Sequence, residues 1–169
     1  MNLSYSHLLP SDFSDDSRIW IYQSNRLFSI GEAMEIEKIL DQFAGEWKSH
    51  GTPVKGFGTL FFGQFIILMA DEAQTGVSGC STDSSVRTIK MIESSMKVSL
   101  FERTNIAFVV KEKIEILPLA QVQYAFEKGF IDENTLFFDN TIQTKKDFLV
   151  NWIIPMGKSW LGKRFLPQN

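Results

Sequence analysis

The single cysteine of this 169-residue chain lies in VSGCSTDSSVR, residues 77–87, between a glycine and a run of small hydroxyl residues. Ser81 or Thr82 reads as the N-cap of a helix over about 82–98, with Asp83 in its first turn. Cys80 would then sit beside the positive end of that helix, where a thiol is more readily ionised and so more nucleophilic. The same field suits a bound anion, with Ser78, Gly79 and Ser81 leaving backbone N–H groups open and with Asp71 and Arg87 completing the candidate ligand set. His50 is the candidate base, since a Cys–His pair oriented by an acid is the smallest nucleophilic constellation. Plainer readings compete with this one. Asp83 opposes a second negative charge at the helix start, a free cysteine is commonly a small hydrophobe, and His50 in SHG suits a helix C-terminus. A binding role therefore outranks catalysis. His50, Cys80 and Asp71 could form a three-ligand metal set, but no short-range ligand spacing supports it. No metal or other cofactor is expected.

Two glycine motifs invite a nucleotide reading and fail it. MGKSW (156–160) closes a P-loop pattern, yet that pattern needs glycine at 152, which is Trp152. GFG (56–58) lacks the third glycine of a dinucleotide fingerprint and opens a strand rather than a helix.

Composition bounds the rest. The net charge is −3, which argues against a general nucleic-acid binder. Fifteen Phe and four Trp favour a thick core. One cysteine excludes an internal disulfide framework and suits a reducing compartment. The opening MNLSYSHLLPSDFSDDS has no secretory pattern, and FIILMA (65–70) is too short to span a bilayer, so a cytoplasmic protein is expected.

The elements that must position these residues follow from periodicity. Residues 1–17 read as a loose polar arm and RIWIY (18–22) as a strand. Ser29 and Glu32 form a capping box for a helix carrying Ala33, Ile36, Leu40, Phe43 and Trp47 on one stripe. GFGTLFF (56–62) and QFIILMAD (64–71) flank Gly63 as a hairpin. A second helix then buries Val86, Ile89, Ile92 and Met96, and IAFVV (106–110) and KIEIL follow as strands. The order β-α-β-β-α-β over residues 18–110 is the ferredoxin-like pattern, an α+β core with both helices on one face. It places the end of helix one, the end of strand three and the start of helix two along one edge, gathering His50, Asp71, Glu72 and Cys80. Residues 118–169 form an α/β C-terminal extension of the same single domain, with a helix at 119–129, a strand at 135–140 and a helix capped by Thr144. Helices on one face leave the other sheet face open unless the extension, a homodimer or another protein partner covers it.

Two resemblances add to this. SHGTPVKG (49–56), MADE with SGCSTDSSVR (69–87), FFDNTIQTKKDF (137–148) and PMGKSW (155–160) together resemble a family of small uncharacterised bacterial proteins, some labelled "ABC transporter ATPase". The resemblance implies a compact single domain with the cysteine stretch as a landmark; the label implies ATP hydrolysis, for which this chain lacks a complete Walker A and any ABC signature. LPLAQVQYAFEKGFIDENTLFF (117–138) is similar to the helix–glycine–strand half of GYF-like adaptor modules, which implies an interaction role. The sequence thus points to a binding or interaction protein without nucleotide hydrolysis, with a small thiol-dependent enzyme built on Cys80 and His50 as the alternative.

Overall fold

The computed structural model describes residues 1–73 and 76–165, beginning with β1 (Arg18–Gln23), α1 (Ile30–Glu46), β2 (Lys48–Ser49), β3 (Thr52–Pro53), β4 (Lys55–Phe61), β5 (Phe65–Asp71) and α2 (Gly79–Met96). It continues through β6 (Asn105–Val110), β7 (Lys113–Pro118), α3 (Val122–Glu127), β8 (Leu136–Phe138), α4 (Lys145–Asn151), β9 (Ile153–Pro155) and α5 (Trp160–Phe165). The architecture is α+β with antiparallel sheets. No helix among the described residues is long and apolar enough to cross a membrane.

Local chemistry sets the first elements. Ser29 Oγ accepts from Glu32 N–H (3.2 Å), and the Glu32 carboxylate accepts from Ser29 N–H (2.8 Å), which closes the capping box of α1. Arg26 grips the same carboxylate with two N–H groups at 2.8 and 2.9 Å, and this pair, followed by the Ser29 N–H, lowers the Glu32 pKa to about 2. In the β4–β5 hairpin, Phe62 and Gly63 both take positive φ, as the tight turn requires.

β5 lies at the centre of a three-stranded sheet of order β1-β5-β4. All seven of its residues are buried, so both of its faces must be covered. Alternation divides the side chains. Ile66 and Leu68, with Tyr22, meet Ile36 and Leu40 of α1 and Ile89 and Ile92 of α2. Phe65, Ile67 and Met69, with Ile19 and Ile21, meet a second core built from Tyr5, Phe13, Ala107, Phe138, Phe148 and Trp152. Beyond that core stands the second sheet, of order β7-β6-β8-β9. Its far side packs Phe108 and Phe137 against Val122 and Ala125 of α3 and Leu161 of α5.

Three expectations change, and the cover of the sheet is seen. The four-stranded ferredoxin-like sheet is not formed: the strand expected as its fourth, β6, pairs with β7 and β8 in the second sheet. The sheet face opposite α1 and α2, which the sequence left to the extension, a homodimer or another partner, is covered within the chain by β8 and α4 of the extension together with the N-terminal arm and β6. The N-terminal arm is not loose. Tyr5, Leu9 and Phe13 are buried, the Tyr5 hydroxyl donates to Phe148 C=O (2.5 Å), and the Lys145 ammonium donates to Pro10 C=O (3.1 Å) and Phe13 C=O (2.7 Å). Finally, α2 begins at Gly79 rather than near residue 82, because Ser78 is the residue that caps it.

Trp152, fully buried, stacks on Phe148 at 4.4 Å and meets Phe62, Phe65 and Phe138 edge-on or stacked. Trp152→Ala should cost about 4 kcal/mol in urea unfolding, whereas Val150→Ala, on the exposed side of α4, should cost less than about 0.5 kcal/mol. Burial raises the Tyr5 phenol from its ordinary 10.0 to about 12. The neutral phenol is therefore favoured by folding, so its contribution is complete below pH 10 and is lost as pH climbs towards 12. Tyr5→Phe should flatten the alkaline limb of stability against pH over that interval, as followed by thermal melts; an unchanged limb would contradict the buried Tyr5–Phe148 bond.

Candidate functional site

The helix-start cluster is built around Ser78. Its Oγ accepts from Ser81 N–H (3.3 Å), and its own N–H donates to Ser49 Oγ (3.2 Å) in β2. Trp47 Nε1 donates to Ser81 C=O (3.0 Å), so the first turn of α2 is clamped to the end of α1. Ser81 and Ser85 face inward and return their hydroxyls to Ser78 C=O and Thr82 C=O. Small residues thus allow α2 to lie close at its start, and the apolar stripe begins only at Ile89. Gly79 and Cys80 point to solvent.

The expected constellation assembles only in part. Ser49 brings its neighbour His50, in a left-handed turn with φ 51°, to the same end as α2, but His50 is exposed and no hydrogen bond among the described residues joins it to Cys80. Asp71 is turned away. It shares strand parity with Phe65, Ile67 and Met69, so its carboxylate lies on the face opposite α2. There it accepts from Ser14 N–H (3.1 Å) and Ala73 N–H (3.1 Å) and faces Lys55 Nζ at 3.5 Å; the Ser14 bond is the first cause that lowers its pKa. Parity was legible in the run FIILMAD and would have separated Asp71 from Cys80. Glu72 accepts from Val77 N–H (2.8 Å) and steadies the approach to α2. Arg87 lines a shallow hollow with Phe43, Trp47 and Met91, apart from the helix start. Among the described residues no group of three His, Cys, Asp or Glu could hold a metal.

The Gly157–Ser159 stretch is occupied with structure. Gly157 N–H donates to Glu133 C=O (2.7 Å), Ser159 N–H donates to Met156 C=O (3.1 Å), and Ser159 Oγ accepts from Leu161 and Gly162 N–H at the start of α5. These amides are not presented to a phosphate, as a P-loop would require.

The concave feature that sequence reasoning missed lies along the outer edge of β1. A cleft of about 430 Å³ runs between β1 and the second sheet, with Trp20, Leu100 and Arg103 on one side and Phe138, Ile142 and Trp160 on the other. Its floor is an amide relay: Gln23 Nε2 donates to Asn105 C=O (3.1 Å), Asn140 Nδ2 donates to Gln23 Oε1 (2.9 Å), and Trp152 Nε1 donates to Asn140 Oδ1 (3.1 Å). Next to it the buried Asp139 carboxylate accepts from Trp160 Nε1 (3.3 Å) and Thr141 N–H (3.1 Å). The relay fixes the walls and is internally satisfied, while Arg103 and Gln143 remain exposed at the rim. No sequence signal marked it, since its residues come from separated places, β1, residues 100–106, Leu119, residues 138–143 and Trp160.

No protein family, curated protein or solved structure matches the chain. Function must therefore be argued from these two places.

Cys80, exposed and joined to no base, should react fully with a thiol reagent in the native protein, and Cys80→Ser should shift unfolding by less than about 0.5 kcal/mol. Resistance of the folded protein to labelling would contradict the exposure.

Proposed function

We propose that this chain is a cytoplasmic, non-catalytic binding protein that takes its ligand in the cleft along β1. The observation that carries this reading is a walled, concave site of pocket size lined by two indoles, aliphatic side chains and a few fixed polar groups, the composition of small-ligand and peptide sites. The unit β1-α1-β4-β5 keeps the first-third-second strand order of a ferredoxin-like half, and we read the cleft as the place its missing fourth strand leaves beside β1. The resemblance to small bacterial proteins with an ATPase label does not alter this, because the glycine–lysine–serine turn serves α5 instead of a phosphate. The thiol-enzyme alternative ranks below it, since Asp71 faces Ser14 and no hydrogen bond among the described residues joins His50 to Cys80.

The test uses a thermal-shift screen of metabolites and short peptides, followed by titration of the hits by tryptophan fluorescence. Gln143→Trp places a bulky ring at the exposed rim without entering the core. Cleft ligands should bind at least about tenfold more weakly to Gln143→Trp and equally well to Cys80→Ser. Hits whose affinity survives the rim substitution but falls with Cys80→Ser would move the site to the helix start and sink this reading.

A further inference from the structure

We propose that the occupant of the cleft is a short extended peptide with acidic flanks, added as a strand to the outer edge of β1. This deepens the binding reading above and rests on it. The edge is paired only at its beginning. Ile19 N–H donates to Gln143 C=O (2.9 Å) and Lys145 N–H donates to Ser17 C=O (2.9 Å), so residues 143–145 lie antiparallel to the first residues of β1. From there the chain departs along the cleft wall through Ile142, Thr141 and Asn140.

Alternation fixes what is left uncovered. Ile19 turns its N–H away from β5, so Ile21 and Gln23, two and four residues on, do the same. Ile21 C=O bears this out by accepting from Arg103 Nη1 (3.2 Å). The N–H of Ile21 and both main-chain groups of Gln23 have no partner among the described residues. Ile21 is only 2% exposed, so its unpartnered N–H is a buried donor that a ligand's acceptor would satisfy. Hydrogen-bonding groups repeating every second residue, about 6.8 Å apart, are matched by another extended main chain. A compact heteroaromatic ligand would satisfy one of these residues and leave the other.

The walls and the charge complete the description. A strand laid here would send alternate side chains towards Trp20 and Leu100 on one face and towards Phe138, Ile142 and Trp160 on the other, so aliphatic or β-branched residues fit both. Arg103 spends one N–H on Ile21, while its neighbour Glu102 turns its carboxylate onto Thr104. When a peptide N–H replaces the guanidinium on Ile21 C=O, Arg103 is left to meet an acidic flank.

The experiment titrates the full chain, labelled with ¹⁵N, with two acetylated hexapeptides of alternating valine and threonine, one flanked by glutamate and one by lysine. The amides of Ile21 and Gln23 should shift downfield and exchange with solvent at least about tenfold more slowly when the acid-flanked peptide binds. That peptide should bind about tenfold more tightly than its lysine-flanked twin, and Arg103→Ala should erase the difference. Methylating every second peptide nitrogen should abolish binding in one register and spare it in the other. Unmoved Ile21 and Gln23 amides, equal loss in both registers, or a flank preference that survives Arg103→Ala would overturn strand addition. If neither peptide binds while a small molecule binds in a manner weakened by Gln143→Trp, the cleft remains the site and the peptide occupant falls.

Discussion

The structure depends on the burial of β5. FIILMAD is apolar on both faces, and a strand of that kind is stable only with a layer on each side. α1 and α2 make one layer. The other is assembled from parts far apart in the chain: the N-terminal arm, β6, β8 and α4. Every other large feature follows from that demand. The second sheet lies over the β1-β5-β4 sheet, Trp152 fills the space between them with stacked rings, and α3 and α5 close the outside of the second sheet in turn.

Because β6 is drawn into the covering layer, β1 keeps an outer edge. A sheet edge is a liability in most proteins and is blunted by charge or by a covering segment. Here residues 143–145 cover its start and the Arg103 guanidinium stands over Ile21 C=O. The amide relay from Asn105 through Gln23 and Asn140 to Trp152 then bridges the two sheets along that edge.

Much of the local structure was legible in the sequence. The Ser29–Glu32 box, the turn at Gly63 and the cap at Thr144 each state a backbone requirement through residue type, and each was read from a few neighbouring residues. The long-range features were not legible in that way. The arm looked loose because its apolar residues are scattered among Ser, Asp and Pro10 with no continuous strand or helix run, and Tyr5 and Phe13 are fixed by contacts with α4 far along the chain. The start of α2 was misplaced because Ser78, Ser81 and Thr82 all suit the cap, and Ser78, which takes it, is tied by its N–H to Ser49, 29 residues back. The cleft escaped for the same reason, since its lining comes from separated segments, β1, 100–106, Leu119, 138–143 and Trp160, that no local pattern joins.

The ties between the arm and α4 carry a consequence for the birth of the protein. Pro10 and Phe13 are held by Lys145, and Tyr5 by Phe148, across separations of 135, 132 and 143 residues. A chain emerging from the ribosome therefore finishes β5 long before α4 exists, and one face of that apolar strand must wait for its cover. During that interval the nascent chain exposes Ile19, Ile21, Phe65, Ile67 and Met69 together, the kind of surface that holding chaperones recognise. Completion of the fold is thus a late event in synthesis, in which the N-terminal arm is among the last parts to be fixed.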